Sequence, residues 1–335
     1  MGRPVNPHAA ALVLLLACAS TAGMPDWLDG TSEQYPRARY LVGVGSADEL
    51  EDASARARTA ISSILVTEIQ SELRSRETSS GVDEADNTII ARTQNVLHGV
   101  EISETWRDER EGRFYALAVL KIADARRQTL EQLGVRAADA NGYLARAESA
   151  SRSFERARLL GRARAASMDY WVLRSQARVL GAAPVSHVPS PTSIDRQLDS
   201  ALSQTQVAVD VRGSVSGEGQ GELPQLREAV AEALNAFGFA VAADAEAGSP
   251  LHFSCQVDLE RIERDPSYVF YRWQAAYELA AQLGGPVLVA ASSKGGASGG
   301  NAQVARTKAL ANAEAILTKD LTAKIQSYLE REDGE

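Results

Sequence analysis

One run of strict alternation constrains the fold most. Leu251, Phe253, Cys255, Val257 and Leu259 are apolar, while His252, Ser254, Gln256, Asp258 and Glu260 between them are polar. Side chains of an extended strand point alternately to opposite faces, so this run demands a sheet with one face on a core and the other in water. Val207, Val209 and Val211 repeat the pattern, as do Val269, Tyr271, Trp273, Ala275 and Tyr277. Val287-Leu288-Val289 adds a further strand and Phe239-Ala240-Val241 a short one. Between them, Pro224 opens a helix with the face Leu226, Val230, Leu234 and Phe237, closed by Gly238. A long final helix carries Val304, Leu310, Ala313, Ile316, Leu317, Leu321, Ile325 and Leu329. The glycine-rich stretches 213–221 and 292–301 read as loops. Strand, helix, strand, three-strand meander and helix predict an α+β layer of mainly antiparallel strands over 201–331.

A second set of elements lies near the start of the chain. Arg39 to Ala47 reads as a short strand rising into the glycine turn Gly43-Val44-Gly45, and a helix follows from Asp48. In that helix Ala53, Ala57, Ile61, Leu65, Ile69 and Leu73 recur every four residues, beside Ala60 and Ile64, an apolar stripe suited to lie on a sheet. Periodicity breaks over 77–87, read as a mobile loop, and a shorter helix is expected over 88–97. Val100, Ile102 and Trp106 then share one side of a strand, and 108–112 forms a hairpin turn. The returning strand, Phe114-Tyr115-Ala116-Leu117-Ala118-Val119-Leu120, is apolar on both faces and belongs in the middle of its sheet. Asp124 caps a helix with Leu130 and Leu133 that Gly134 stops. Trp27 and Tyr35, each beside a proline, are expected to anchor the segment before the first strand. The domain so defined spans 25–135.

Between the two domains, 136–182 is dense in alanine and arginine and reads as a helical connector, either one helix or a hairpin broken near Gly161. The proline-bearing stretch 183–200 reads as a linker. Within the connector Arg152, Arg156, Arg158, Arg162 and Arg164 form the one basic stretch of a chain whose formal charge is −9. Two readings fit: a solvated helix face whose arginines cover a core, or a docking face for anionic partners. The overall fold class is α+β, two small domains with mainly antiparallel sheets packed by helices and joined by this segment.

The amino terminus carries Arg3 followed by an apolar run from Ala9 to Leu16, the pattern of a secretory signal over 1–17. That run is far short of the roughly 20 residues a spanning helix needs. It ends in Leu15-Leu16-Ala17-Cys18, which resembles the bacterial lipobox. The resemblance implies that Cys18 becomes the first mature residue and carries the lipid, with 18–24 as a tether of small residues. Ala19, in place of an aspartate, implies the outer membrane with the body facing the periplasm. The following Pro25-Asp26-Trp27, Tyr35-Pro36, Tyr40-Leu41-Val42-Gly43-Val44-Gly45-Ser46-Ala47, a long helix, and a Trp-bearing strand paired with Phe-Tyr-Ala-Leu-Ala-Val together resemble the LPP-twenty lipoprotein family. Relatives in that family include flagellum-associated outer-membrane lipoproteins. The likeness covers roughly 15–130 and implies an anchored envelope protein; it brings no catalytic residues.

Several other functions have little in the sequence to carry them. With 335 residues, 44% of them hydrophobic, the chain is long enough for two packed domains, and its acidic balance opposes nucleic-acid binding. Cys255 is left without a partner once Cys18 is lipidated. His8, His98, His187 and His252 are scattered, so no metal site is expected, and His252 stands about 20 Å along its strand from Asp258, too far for a dyad. Gly43-Val44-Gly45 lacks the third glycine of a dinucleotide fingerprint, with Asp48 in its place, and Ser292-Ser293-Lys294-Gly295-Gly296 lacks the order of a phosphate loop. No cofactor is expected. The leading expectation is a non-catalytic scaffold in an envelope assembly, its partners being the outer membrane through the Cys18 lipid, envelope proteins, and a second copy of the chain in a homo-oligomer. The alternative is a regulatory binding module for a periplasmic cell-wall enzyme.

Overall fold

The computed structural model describes residues 24–76, 99–183, 186–215, 218–242, 251–265 and 268–331. Cys18, the signal, the loop expected over 77–87 and the helix expected over 88–97 lie outside the described residues. The chain divides into two compact units. One runs to Ile64 and resumes through two further strands to Ile122; the other begins at Leu65 and takes everything from Ala123 onward.

The first unit holds β1 (Tyr40–Ala47), the first part of α1 (Leu50–Arg76), β2 (Glu101–Arg107) and β3 (Phe114–Lys121). The sheet order is β1-β3-β2, antiparallel throughout, so the strand apolar on both faces is central as its composition requires. Ala116, Ala118 and Leu120 share one face of β3, with Leu117 and Val119 on the other. The helix stripe Ala53, Ala57 and Ile61 is fully buried, whereas Ile64 is partly exposed. Gly43 and Gly45 are not a turn: both lie within β1, and they let the strand touch the helix. A Cβ on Gly43 would stand 2.4 Å from the carbonyl oxygen of Ala57, and one on Gly45 would stand 2.2 Å from that of Ala53. On the other face Trp27, in a one-turn 3₁₀ helix (Asp26–Asp29), packs with Leu117 and Val119 and donates from Nε1 to Glu104 Oε2 at 2.8 Å.

The second unit contains α2 (Ile122–Ser149), α3 (Ser153–Val179), α4 (Pro191–Ser203), β4 (Gln206–Val215), β5 (Glu218–Glu222), α5 (Pro224–Phe237), β6 (Ala240–Val241), β7 (Leu251–Asp265), β8 (Tyr268–Ala280), β9 (Val287–Gly299) and α6 (Ala302–Glu330). The sheet runs β5-β4-β7-β8-β9, with β6 beside β4. β4 pairs with β6 and β7 in parallel and the remaining pairs are antiparallel. The apolar side chains of β4, β7 and β8 pack in one core with α5 and α6, and with Ala157, Leu160 and Ala163 of α3.

Six expectations are corrected here. Gly134 does not stop a helix: α2 continues to Ser149, with Gly134 exposed and open space where a Cβ would stand, a position where glycine weakens a helix by about 1 kcal/mol without breaking it. The first compact unit therefore closes at Ile122, short of residue 135. The segment 136–182 is no free-standing connector. It folds back at Ala150–Arg152 into α2 and α3, and Gly161 lies inside α3 because a Cβ there would stand 2.7 Å from the backbone oxygen of Leu329. The linker over 183–200 leads into a helix: Ser190 caps α4 by accepting from the Ser193 N–H, Pro191 fills its first turn, and Ile194, Leu198, Ala201 and Leu202 are buried. Finally, 292–301 is mostly β9 instead of a loop. Gly295 and Gly296 sit in the strand because a Cβ would meet the Trp273 and Phe270 rings at 2.8 and 2.6 Å. In the same way 213–221 is mainly the β4–β5 pair.

Candidate functional site

The arginines of α3 separate into two groups. Arg162 is 3% exposed, its Nε donates to the carbonyl of Arg331 at 2.8 Å, and its guanidinium lies 5.9 Å from the Tyr143 ring centre. Arg164 bridges Asp195 of α4 and Glu330 at the end of α6, at 2.5 and 2.9 Å. Arg158 lies over the Tyr328 ring at 5.4 Å. A guanidinium is removed from water only where carbonyls, carboxylates or ring faces replace the lost solvation, and these three have such partners. They fasten α3 to α4 and α6. Only Arg152 and Arg156 remain exposed, at the start of α3. The five arginines thus do not form one docking face, because successive positions of a helix turn to different sides and three of these sides are covered. Asp195, which neutralises Arg164, was hidden from sequence reading inside the presumed linker. Its signal was the spacing Ile194, Leu198, Ala201 after Ser190-Pro191.

Cys255 faces the core at 4% exposure, and burial pushes its thiol up to about 12. A protonated thiol in an apolar setting is packing material. His252 and Asp258 stand on the outer face of β7, where Asp258 accepts from Ser214 Oγ at 2.5 Å and from Gln256 Nε2 at 3.2 Å. That outer face holds an open groove of about 730 Å³ whose polar lining includes Asp210, Arg212, His252, Ser254, Gln256 and Glu278. Arg212 is already paired with Asp210 at 3.1 Å. This is the wet side of a sheet covered by helices on the other side. Among the described residues no three His, Cys, Asp or Glu side chains converge to hold a metal ion. No helix among them is long and apolar enough to cross a membrane.

The glycine stretches offer no cradle for a nucleotide. The turn between β1 and α1 is Asp48-Glu49, whose carboxylates oppose a phosphate, and the glycines before it face the α1 backbone. Ser293 Oγ donates to Asp320 Oδ2 at 3.4 Å, the atom that also accepts from Tyr277 at 2.7 Å, and Trp273 Nε1 donates to Asn312. These bonds pin α6 to β8 and β9. Burial, with the Asp320 carboxylate beside it, raises the Tyr277 phenol well above its usual range.

Residues 25–121 match the family model described as LPP20 lipoprotein. The match ends one residue before the first unit closes at Ile122, and it bears out the family resemblance read from the sequence of that segment. No curated protein matches the chain. Among solved structures, it is similar to the secreted protein HP1454 from Helicobacter pylori, at 16% identity over 84% of this chain and 97% of that one, with a TM-score of 0.37. It is also similar to the lipoprotein GNA1162 from Neisseria meningitidis, at 10% identity over 36% of this chain and 99% of that one, TM-score 0.26. A minor lipoprotein from Acinetobacter baumannii aligns at 10% identity over 36% and 91%, TM-score 0.27.

Proposed function

We propose that the protein is a lipoprotein held by Cys18 in the outer membrane, facing the periplasm, with a non-catalytic scaffold role in an envelope assembly; association with a flagellar ring is the most specific form of this reading. The observation that carries it is a juxtaposition. Leu15-Leu16-Ala17-Cys18 stands just ahead of residue 25, where the match to the LPP20 lipoprotein model begins. Two or three acyl chains on one cysteine anchor a protein stably where a single chain exchanges. Trp27, nine residues beyond Cys18, is seated in the first unit's apolar cluster, so the chain passes from tether to packed body within a few residues. Ala19 supports the outer membrane over the inner. The arginines that fasten α3 to its neighbours support a structural use of the charge-rich segment.

The test is intact mass and membrane fractionation of the wild type and Cys18→Ala. The expected result is a diacylglycerol-bearing, outer-membrane wild type and a variant that loses both properties. A wild type cut elsewhere and released without lipid would overturn the reading.

A further inference from the structure

Helices α3 and α4 pack side by side and leave a hollow of about 200 Å³ lined by Arg156, Arg196, Gln197, Ser200, Ala201 and Gln204. Ala201 is buried and forms its floor; the other five are exposed around it. Arg196, Ser200 and Gln204 follow one another at four-residue steps, so α4 presents a guanidinium, a hydroxyl and an amide along a single stripe. Arg156 faces them from α3. No carboxylate lines the hollow.

The charges here are also available. Arg158, Arg162, Arg164 and Arg174 of the same helix are engaged with rings, carbonyls or carboxylates. Among the described residues neither Arg156 nor Arg196 makes an ion pair. Arg156 stands in the first turn of α3, whose N-cap Arg152 makes no capping bond through its side chain, so the positive end of that helix adds to the field. The negative end of α4 lies near Gln204 and amounts to about half a charge, which two guanidinium groups outweigh.

We propose that this hollow binds a phosphate group, carried by a soluble phosphomonoester or by a lipid headgroup. A carboxylate is satisfied by one guanidinium fork, whereas two forks, one from each helix, with amide and hydroxyl donors lining the same hollow, match the three free oxygens of a phosphoryl group.

The test uses the full chain as Cys18→Ala, so that no acyl chain drives membrane binding and failure of the lipoprotein reading leaves the result intact. Isothermal titration at constant ionic strength with glycerol 3-phosphate is one arm. Sedimentation with phosphatidylcholine vesicles containing phosphatidic acid is the other. The parent is expected to bind in at least one arm, and Arg156→Gln/Arg196→Gln, with unchanged circular dichroism, is expected to lose at least tenfold in affinity there. Binding in the soluble arm identifies a free phosphomonoester; binding confined to vesicles identifies a headgroup. Absence of binding in both arms, or binding that the double variant leaves unchanged, overturns the proposal.

Discussion

Gly45→Ala should be among the most destabilising single-methyl changes in the first unit. The added carbon would stand 2.2 Å from the Ala53 oxygen and 2.3 Å from the Ala57 nitrogen, both backbone atoms that cannot rotate aside. Ordinary contact between a carbon and such atoms is about 3.3–3.6 Å, so α1 must retreat from β1 by about 1 Å. A radial gap of that size forfeits a quarter to a half of each dispersion contact along the interface, here that of Ala53, Ala57 and Ile61. Overpacking of this kind costs about 1–3 kcal/mol. The clashing atoms are backbone and cannot move, which puts the cost at the upper end of that range; loss of glycine's freedom in the unfolded chain returns about 0.4–1 kcal/mol, so the net expectation is about 2 kcal/mol of destabilisation. With two compact units, a single global unfolding signal does not isolate the first one. Urea titration should therefore be read by amide hydrogen exchange in β1 and β3, where protection should fall about 30-fold. Gly134→Ala is the matched control: nothing lies within 4 Å of its added carbon, and it should stabilise by about 1 kcal/mol. If the two substitutions move stability in the same direction, close approach of strand and helix is not the reason for Gly45.

Three further outcomes are expected. Trp27→Ala should cost about 3–5 kcal/mol, since it empties a buried indole site and leaves Glu104 without its donor, and protease resistance of the first unit would register it. Arg164→Ala should cost about 1–3 kcal/mol by stranding Asp195 and leaving Glu330 with Gln326 as its donor, with most of the loss recovered in an Asp195→Asn/Arg164→Ala pair if the Arg164–Asp195 contact dominates; a double-mutant cycle measures this. Cys255 should resist iodoacetamide in the native protein at pH 8 and react in urea. Because its folded pKa is raised to about 12 from an ordinary 9.0, its contribution to stability is complete below pH 9 and declines as pH rises toward 12, a slope that Cys255→Ala should flatten.

Elements whose signals are local were legible in the sequence. β7 and β8 follow from alternation, α5 from its proline and closing glycine, and the central place of β3 from apolar residues on both of its faces. The failures share a cause, in that glycine and proline were read as punctuation where tertiary contact had chosen them. Gly43, Gly45, Gly161 and Gly295 are glycines because a helix or ring lies where a Cβ would be, and no neighbour in sequence reveals this. Pro191 reads as part of a linker although Ser190 and the spacing after it mark a helix start, and α4 is the element that carries Arg196 and Ser200. The arginine run was visible, but its division into engaged and exposed members depends on Asp195, Tyr328, Glu330 and the Arg331 carbonyl, all remote in sequence.

The seating of Trp27 also bears on how strong a partner's grip must be. Under the proposed anchoring at Cys18, nine residues would hold the first unit within about 30 Å of the lipid, at roughly 3.3–3.6 Å per residue. One molecule in a hemisphere of that radius corresponds to an effective concentration of about 30 mM. An envelope component in the same leaflet that diffuses into reach would be held most of the time by a contact of only millimolar affinity. Freed of its lipid, the same surface would need binding tighter by several orders of magnitude to keep its partner.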